Sequence, residues 1–463
     1  MDILEKCRPW TAEHLRATGR DCYFRAIGDT FDGTEADFEG RRVIIAASHD
    51  YLGLSAEPRV REAAVAAVRR FGTSLGGSRA VSGSLELHEE LENGLAAFLG
   101  HEAAAVLPSG YQANLMLAPL LGDGDMVFSD FSNHVSLEEA VRLGRAKERK
   151  FLHGNLDHLE ELLRTADGIG NGNEGAGTRG GGSGGEGSGG EGSGTGGKLI
   201  LTDGVFSVDG DVCNLPGLMK LADAHGARVV VDSSHDLGVL GPTGAGAGEH
   251  FGLRPDLVTS ALSKSLASVG GVIAGPADVI RYLRFHARTA LFTAAASPAN
   301  VAAALAALRI LRTEPERRVR VLDLAERLHN GLRALGFDTG ASVTPVVPVL
   351  VSGRERCMRM WRELFEAGVF AAPMVHPVVR TGREVLRVTL TAAHTDDQLA
   401  RVLAAFEHVG RVEGVIPGSA PASHTPVRIA RPRGPLTLAA AHDGRSTGAG
   451  ARRATPWAGG RSS

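Results

Sequence analysis

Five short runs hold the residues whose types and order can do chemistry. Val229-Val230-Val231-Asp232-Ser233-Ser234-His235 ends an apolar run in an acid, and a buried carboxylate is costly unless a cation or several hydrogen bonds meet it. Leu257-Val258-Thr259-Ser260-Ala261-Leu262-Ser263-Lys264 ends another run in a lysine. Ser109-Gly110-Tyr111-Gln112-Ala113-Asn114 places a small hydroxyl residue and a glycine ahead of a helix, which leaves backbone N–H groups and a positive dipole end for an anion. Asp130-Phe131-Ser132-Asn133-His134 offers an imidazole, and Thr202-Asp203-Gly204-Val205-Phe206-Ser207-Val208-Asp209-Gly210-Asp211 offers acids and a hydroxyl. Singly, each has a plain reading: a turn-capping Asp, a solvated Lys, a helix entry, a surface His, a turn with two Asp-Gly steps.

Taken together they supply what pyridoxal phosphate needs. Lys264 holds the aldehyde as a Schiff base, and Asp232 keeps the pyridine nitrogen protonated so that the ring is an electron sink. The helix start at Ser109, Gly110 and Tyr111 takes the phosphate, His134 stacks on the ring, and Ser207 and His235 hydrogen-bond the phenolic oxygen. The four cysteines (Cys7, Cys22, Cys213, Cys357) have no metal-ligand spacing, so no metal is expected.

These residues must be carried by alternating strands and helices. Short apolar runs at Ala103–Leu107, Asp125–Phe128, Leu199–Thr202, Arg228–Val231, Leu257–Leu262 and Gly271–Ala274 read as strands. Helices are predicted over Arg59–Phe71, Leu87–Leu99 and Leu215–His225, the last stopping at Gly226 just before a strand. Strand, helix, strand at this spacing means an α/β fold with a mostly parallel sheet, whose ligands sit at the carboxyl ends of the strands. Beyond Pro298, helices over Ala299–Thr313, Arg317–Leu335 and Arg354–Ala367 with strands Val346–Val351 and Val385–Thr391 predict a smaller α+β domain. The expected organisation is an N-terminal segment (1–47), a large domain (48–297), a small one (298–412) and a disordered tail (413–463). A Gly/Ser/Glu tract at 168–197 reads as a disordered insert, and its place before a strand puts it at the end away from the chemistry.

Composition narrows the class. The chain has 463 residues, with 50 Lys+Arg against 53 Asp+Glu, a net charge of −3 that supplies no concentrated basic face for nucleic acid. Apolar runs are too short to span a membrane, and the start Met1-Asp2-Ile3-Leu4-Glu5-Lys6 has no secretory pattern, so a cytoplasmic protein is expected.

The chain resembles the α-oxoamine synthases, pyridoxal phosphate enzymes of the aspartate-aminotransferase-like fold, nearest their serine palmitoyltransferase and 8-amino-7-oxononanoate synthase branches. The resemblance runs from about Ser48 to Val409 and rests on Asp50-Tyr51-Leu52-Gly53-Leu54, Gly76-Gly77-Ser78-Arg79, Gly83, His88-Glu89-Glu90-Leu91-Glu92 and the five runs above. Gly270-Gly271, Leu386-Arg387 and Ala393-His394-Thr395 complete it; the flanks Pro9-Trp10-Thr11-Ala12 and Gly410-Arg411 with Gly414-Val415-Ile416 favour the serine palmitoyltransferase branch. It implies that Lys264 is the Schiff-base lysine and the base for the Cα proton, with Asp232, His134, His235, Ser207, Ser109, Gly110, Tyr111 and Ser263 around the cofactor. Arg387 is then the ligand of the amino-acid carboxylate, and Thr293 reaches the phosphate of a partner in a homodimer whose active site lies at the interface. The implied reaction condenses serine, glycine or alanine with an acyl thioester, on coenzyme A or a carrier protein, releasing CO₂ and giving an α-amino ketone. Two rivals stay open: a catalytically silent partner subunit, and a pyridoxal phosphate enzyme of another type such as an aminotransferase.

Several positions depart from the family pattern. Its Asp-Glu-Ala-His is Asp232-Ser233-Ser234-His235 here, and its Gly-Thr-Gly is Gly72-Thr73-Ser74. Its Thr-Phe-Ser-Lys is Ala261-Leu262-Ser263-Lys264, which removes a phosphate contact worth ~1 kcal/mol; the sequence leaves open whether Ser260 replaces it. The loop Ala371-Ala372-Pro373-Met374-Val375-His376-Pro377 lacks the arginine found near there in bacterial serine palmitoyltransferases.

Overall fold

In a computed structural model of the chain the described residues are 2–11, 13, 15, 22–28, 31–171, 196–376, 378–416 and 427–429. An antiparallel hairpin, β1 (Glu35–Phe38) and β2 (Arg41–Ile45), precedes the main sheet. That sheet comprises β3 (Ala103–Leu107), β4 (Met126–Asp130), β5 (Lys147–Phe151), β6 (Lys198–Asp203), β7 (Ala227–Asp232), β8 (Leu257–Ala261) and β9 (Gly271–Gly275). Their order is β3-β9-β8-β7-β6-β4-β5, with β9 antiparallel to both neighbours and the remaining pairs parallel.

The apolar runs are continuous because the sheet is covered on both faces. In β7, Val230 joins Val127 and Leu201 in one core, while Val229 and Val231 join Phe128 and Ile200 in the other. Each such valine removed from water contributes about 1.5–3 kcal/mol, enough to fix the register against a one-residue slip. β5 is nearly all charged: Lys147-Glu148-Arg149-Lys150 precedes a single buried Phe151, and the run is tolerated because β5 is an edge strand paired, among the described residues, with β4. The helix Leu215–His225 starts on an Asn214 side-chain cap and ends at Gly226, whose φ of +63° suits glycine alone among common residues.

A second core lies around Trp361, Phe406 and Leu328. It is covered by the antiparallel sheet of β10 (Val347–Leu350), β12 (Ala372–Met374) and β13 (Val385–Val388), while β11 (Val369–Phe370) pairs parallel to β2. The helix Pro298–Thr313 packs with the large unit: Val301, Leu305 and Leu308 share one core with Leu91 and Leu95 of the helix Glu86–Leu99.

The helix Leu156–Asn171 covers the first four positions of the Gly-rich tract, and residues 172–195 lie outside the described residues. The described flanks of this tract meet β6 at its amino end, opposite Asp203. Of the expected disordered tail, 417–426 and 430–463 also lie outside the described residues. Val427 and Ile429 are buried in the core that holds Leu91, Leu95 and Leu305, and the Val427 backbone exchanges hydrogen bonds of 2.8 and 3.3 Å with the Asn330 amide.

Candidate active site

At the carboxyl ends of β6, β7 and β8 lies a cavity of about 250 Å³. Ser109, Gly110, Tyr111, His134, Asp232, His235, Ser263 and Lys264, all expected from sequence, line it together. So do Asn114, Ser136, Asp203, Ser234 and Ala261.

The acid is held by a relay. Asp232 Oδ1 accepts from the Ser234 backbone N–H (2.9 Å) and Oδ2 from Asn114 Nδ2 (2.7 Å). The same Asn114 nitrogen donates to Ser136 Oγ (2.8 Å), which lies 2.6 Å from His134 Nδ1. His134 caps the helix Val135–Leu143, its Nδ1 accepting from the Ser136 backbone N–H (3.3 Å), and it lines the cavity. Asn114 and Ser136 have no role assigned from sequence, although each lies one helical turn or less beyond a residue that does.

Register pairs Asp203 with Asp232 across β6 and β7, at the carboxyl end of both strands. Burial, and then the Asp232 carboxylate, push Asp203 well above the usual carboxylate range. Lys264 makes no side-chain hydrogen bond or ion pair among the described residues. Burial lowers its proton affinity, opposed by the attraction of Asp232 and Asp203.

Arg387, on β13, is 8% exposed; its Nη1 donates to the Ser207 carbonyl (2.7 Å) and its buried Nε has no partner. A desolvated guanidinium with an unused N–H is a receptor for a carboxylate. The Ser207 loop is pinned in turn by His153, whose Nδ1 and Nε2 lie 2.9 and 3.1 Å from Asp130 and Asp211. Burial opposes charge on His153, but the two carboxylates outweigh it and raise its pKa to about 10.

Three expected residues, Arg387, Ser207 and Thr293, are not among those that line the cavity. Ser207 meets Arg387 through its backbone, and Thr293 Oγ1 accepts from the Gln112 amide (3.2 Å). Ser260 does not replace the missing threonine: its hydroxyl turns to the carbonyls of Ser233 and Ala261, both at 3.2 Å, and is buried there.

The residues fit pyridoxal phosphate. Ser109, Ser263 and the helix start at Gly110 line one cavity, and the Ser109 hydroxyl caps that helix by accepting from the Gln112 N–H (3.2 Å). A Cβ on Gly110 would stand 2.6 Å from the Ala261 Cβ, so only glycine lets the helix start approach β8 this closely. Among the described residues there is no cluster suited to a metal ion and no helix long and apolar enough to cross a membrane.

Comparison with known proteins agrees with this geometry. Residues 41–406 match the family model of aminotransferase class I and II. The chain is 38% identical over 390 residues to a serine palmitoyltransferase of Sphingobacterium spiritivorum, covering 84% of this chain and 91% of that one. It is 38% identical over 381 residues to an 8-amino-7-oxononanoate synthase of Symbiobacterium thermophilum, covering 82% and 91%. The serine palmitoyltransferase structure from Sphingomonas wittichii superposes with a TM-score of 0.81 at 31% identity, over 90% of this chain and all of that one.

Proposed function

The chain belongs to the aminotransferase class I and II family and, within it, to the pyridoxal phosphate-dependent α-oxoamine synthases, and from that premise we propose how its residues divide the work. The reaction joins an amino acid to an acyl thioester, releasing CO₂ and a thiol and leaving an α-amino ketone. The observation that carries the assignment of roles is the meeting of Lys264, Asp232 and His134 in one cavity. A silent subunit has no need of a half-buried lysine without a partner among the described residues beside a relay-held acid.

When bound, pyridoxal phosphate supplies an aldehyde for exchange between amines and an electron-accepting ring that stabilises a carbanion. Lys264 would hold the aldehyde carbon. Its Nζ, of lowered proton affinity through burial, would be the base suited to take the Cα proton. Asp232 would hold a proton at the ring nitrogen, kept in place by Asn114 and Ser234. Ser109, Ser263 and the N–H groups at Gly110 and Tyr111 would bind the phosphate, and His134 would cover the ring. Arg387 would bind the substrate carboxylate through its guanidinium, whose Nε has no partner among the described residues. Fixing the carboxylate and the ring orients the Cα bonds, which decides which of them breaks.

The amino substrate is serine, glycine or alanine, and the acyl group arrives on coenzyme A or a carrier protein. The enzyme works as a homodimer in the cytoplasm, a reading that fits its four free thiols. The test is to load the purified protein with pyridoxal phosphate and offer each amino acid with each acyl donor. Coupled release of thiol and CO₂ for one pair supports the assignment. Conversion of the amino acid to a keto acid without thiol release would favour an aminotransferase instead.

A further inference from the structure

Tyr51 is fully buried, and its phenol oxygen lies 2.6 Å from Nδ1 of His235. A contact this short contains one proton, and its owner decides what the other ring nitrogen offers the cavity. A neutral phenol brings one O–H, and a neutral imidazole brings one N–H and one bare nitrogen. His235 is neutral: burial, then Lys264, His49, Arg387 and His134 around it, all disfavour its charge. Burial likewise keeps Tyr51 protonated.

If Nδ1 were the donor, the Tyr51 O–H would need a second acceptor. Among the described residues Tyr51 Oη has no partner but His235. A buried O–H without an acceptor costs about 1–3 kcal/mol, which decides between the two arrangements. We propose that Tyr51 is a positioning residue: its O–H donates to His235 Nδ1, fixes the tautomer protonated on Nε2, and so offers the cavity an N–H donor for the phenolic oxygen of the cofactor.

The surroundings keep this geometry stiff. Asp50 accepts from the backbone N–H groups of Leu54 and Ser55 (both 2.9 Å) and from the Ser55 hydroxyl (2.6 Å). The Tyr51 carbonyl accepts from the Ala392 N–H (2.8 Å), and the His49 ring meets the His235 ring edge-on at 5.0 Å. The consequence is electrostatic. A donor at the phenolic oxygen stabilises its anionic form, so the loaded enzyme's chromophore releases its proton at lower pH.

The proposal rests on pyridoxal phosphate as the ligand of this cavity, and two readouts separate its failure from the failure of that reading. The first is ¹⁵N NMR of the cofactor-free protein with labelled histidines, His235 being assigned by its loss in His235→Gln. Wild type should show a bare Nδ1 and a protonated Nε2, and Tyr51→Phe should show both tautomers in exchange. The second is the pH midpoint of the visible band of the loaded protein. It should rise by about one unit in Tyr51→Phe, roughly a tenfold change in proton affinity. A proton on Nδ1 in the wild type, or an unchanged midpoint in Tyr51→Phe, would overturn the proposal. Should Tyr51→Phe not fold, the wild-type ring nitrogens decide the question alone. A wild type that forms no visible band with pyridoxal phosphate refutes the reading of the cavity, while NMR still decides the tautomer.

Discussion

Asp236 follows the cofactor-facing His235 and is fully buried, with Oδ2 accepting from the Ala247 N–H (2.6 Å) and Ser233 Oγ (3.1 Å) and Oδ1 without a partner. Burial, only partly offset by those two hydrogen bonds, raises its pKa to about 7 from 3.8. The folded protein therefore binds this proton more tightly than the unfolded chain. Stability falls as pH rises from about 4 to 7 and levels off above 7. At ~1.4 kcal/mol per unit, three units put the cost of the ionised form at about 4 kcal/mol. Asp236→Asn cannot titrate. Its amide leaves a new group at the unpartnered position, a cost of about 1–3 kcal/mol that does not vary with pH. The difference between mutant and wild-type stability should then climb by roughly 2–4 kcal/mol between pH 4 and 7 and stay level to pH 8.5. Urea unfolding of both proteins across that range measures it. Parallel stability curves for the two proteins would refute the reasoning, because they would mean that Asp236 titrates alike folded and unfolded.

Three further outcomes are expected. Arg387→Ala should lower kcat/KM for the amino acid by roughly 10–100-fold, the loss of a buried charge-assisted pair, with Arg387→Lys recovering only part of it; an unchanged kcat/KM would contradict the carboxylate role. His153→Asn should lose about 1–3 kcal/mol of stability at pH 6. Because the His153 pKa is raised to about 10, the wild-type advantage is full below about 6.5 and disappears as pH rises through 10, so thermal midpoints should converge there. Gly110→Ala pushes a methyl into Ala261, an overpacking cost of about 1–3 kcal/mol at the phosphate end. Titration with pyridoxal phosphate should show affinity lower by roughly tenfold, and wild-type affinity would show that the helix start does not bind the anion.

The strands of the main sheet were legible because burial on both faces makes them uninterrupted apolar runs. β5 was not, since an edge strand of Lys and Arg resembles a solvated loop. Residues at strand ends, such as Asp232 and Lys264, were legible because a charge closing an apolar run needs a reason. Asn114 and Ser136 were hidden, as uncharged helix residues whose value comes only from the acid and imidazole that they join. Tyr51 and His235 stand 184 positions apart, and no local pattern announces that the two side chains meet. Nor does sequence show that Ser260 turns away from the cavity while Ser234 enters it, since both follow from how β7 and β8 pair.

The central claim is that Lys264 carries the cofactor in a working α-oxoamine synthase site. Borohydride reduction of the loaded protein, followed by peptide mass mapping, tests it most directly. The account predicts a pyridoxyl-phosphate mass on the peptide bearing Lys264, at that residue, and none on Lys264→Ala treated alike. Stoichiometric label on another lysine, or none on wild type after incubation with excess cofactor, would contradict it.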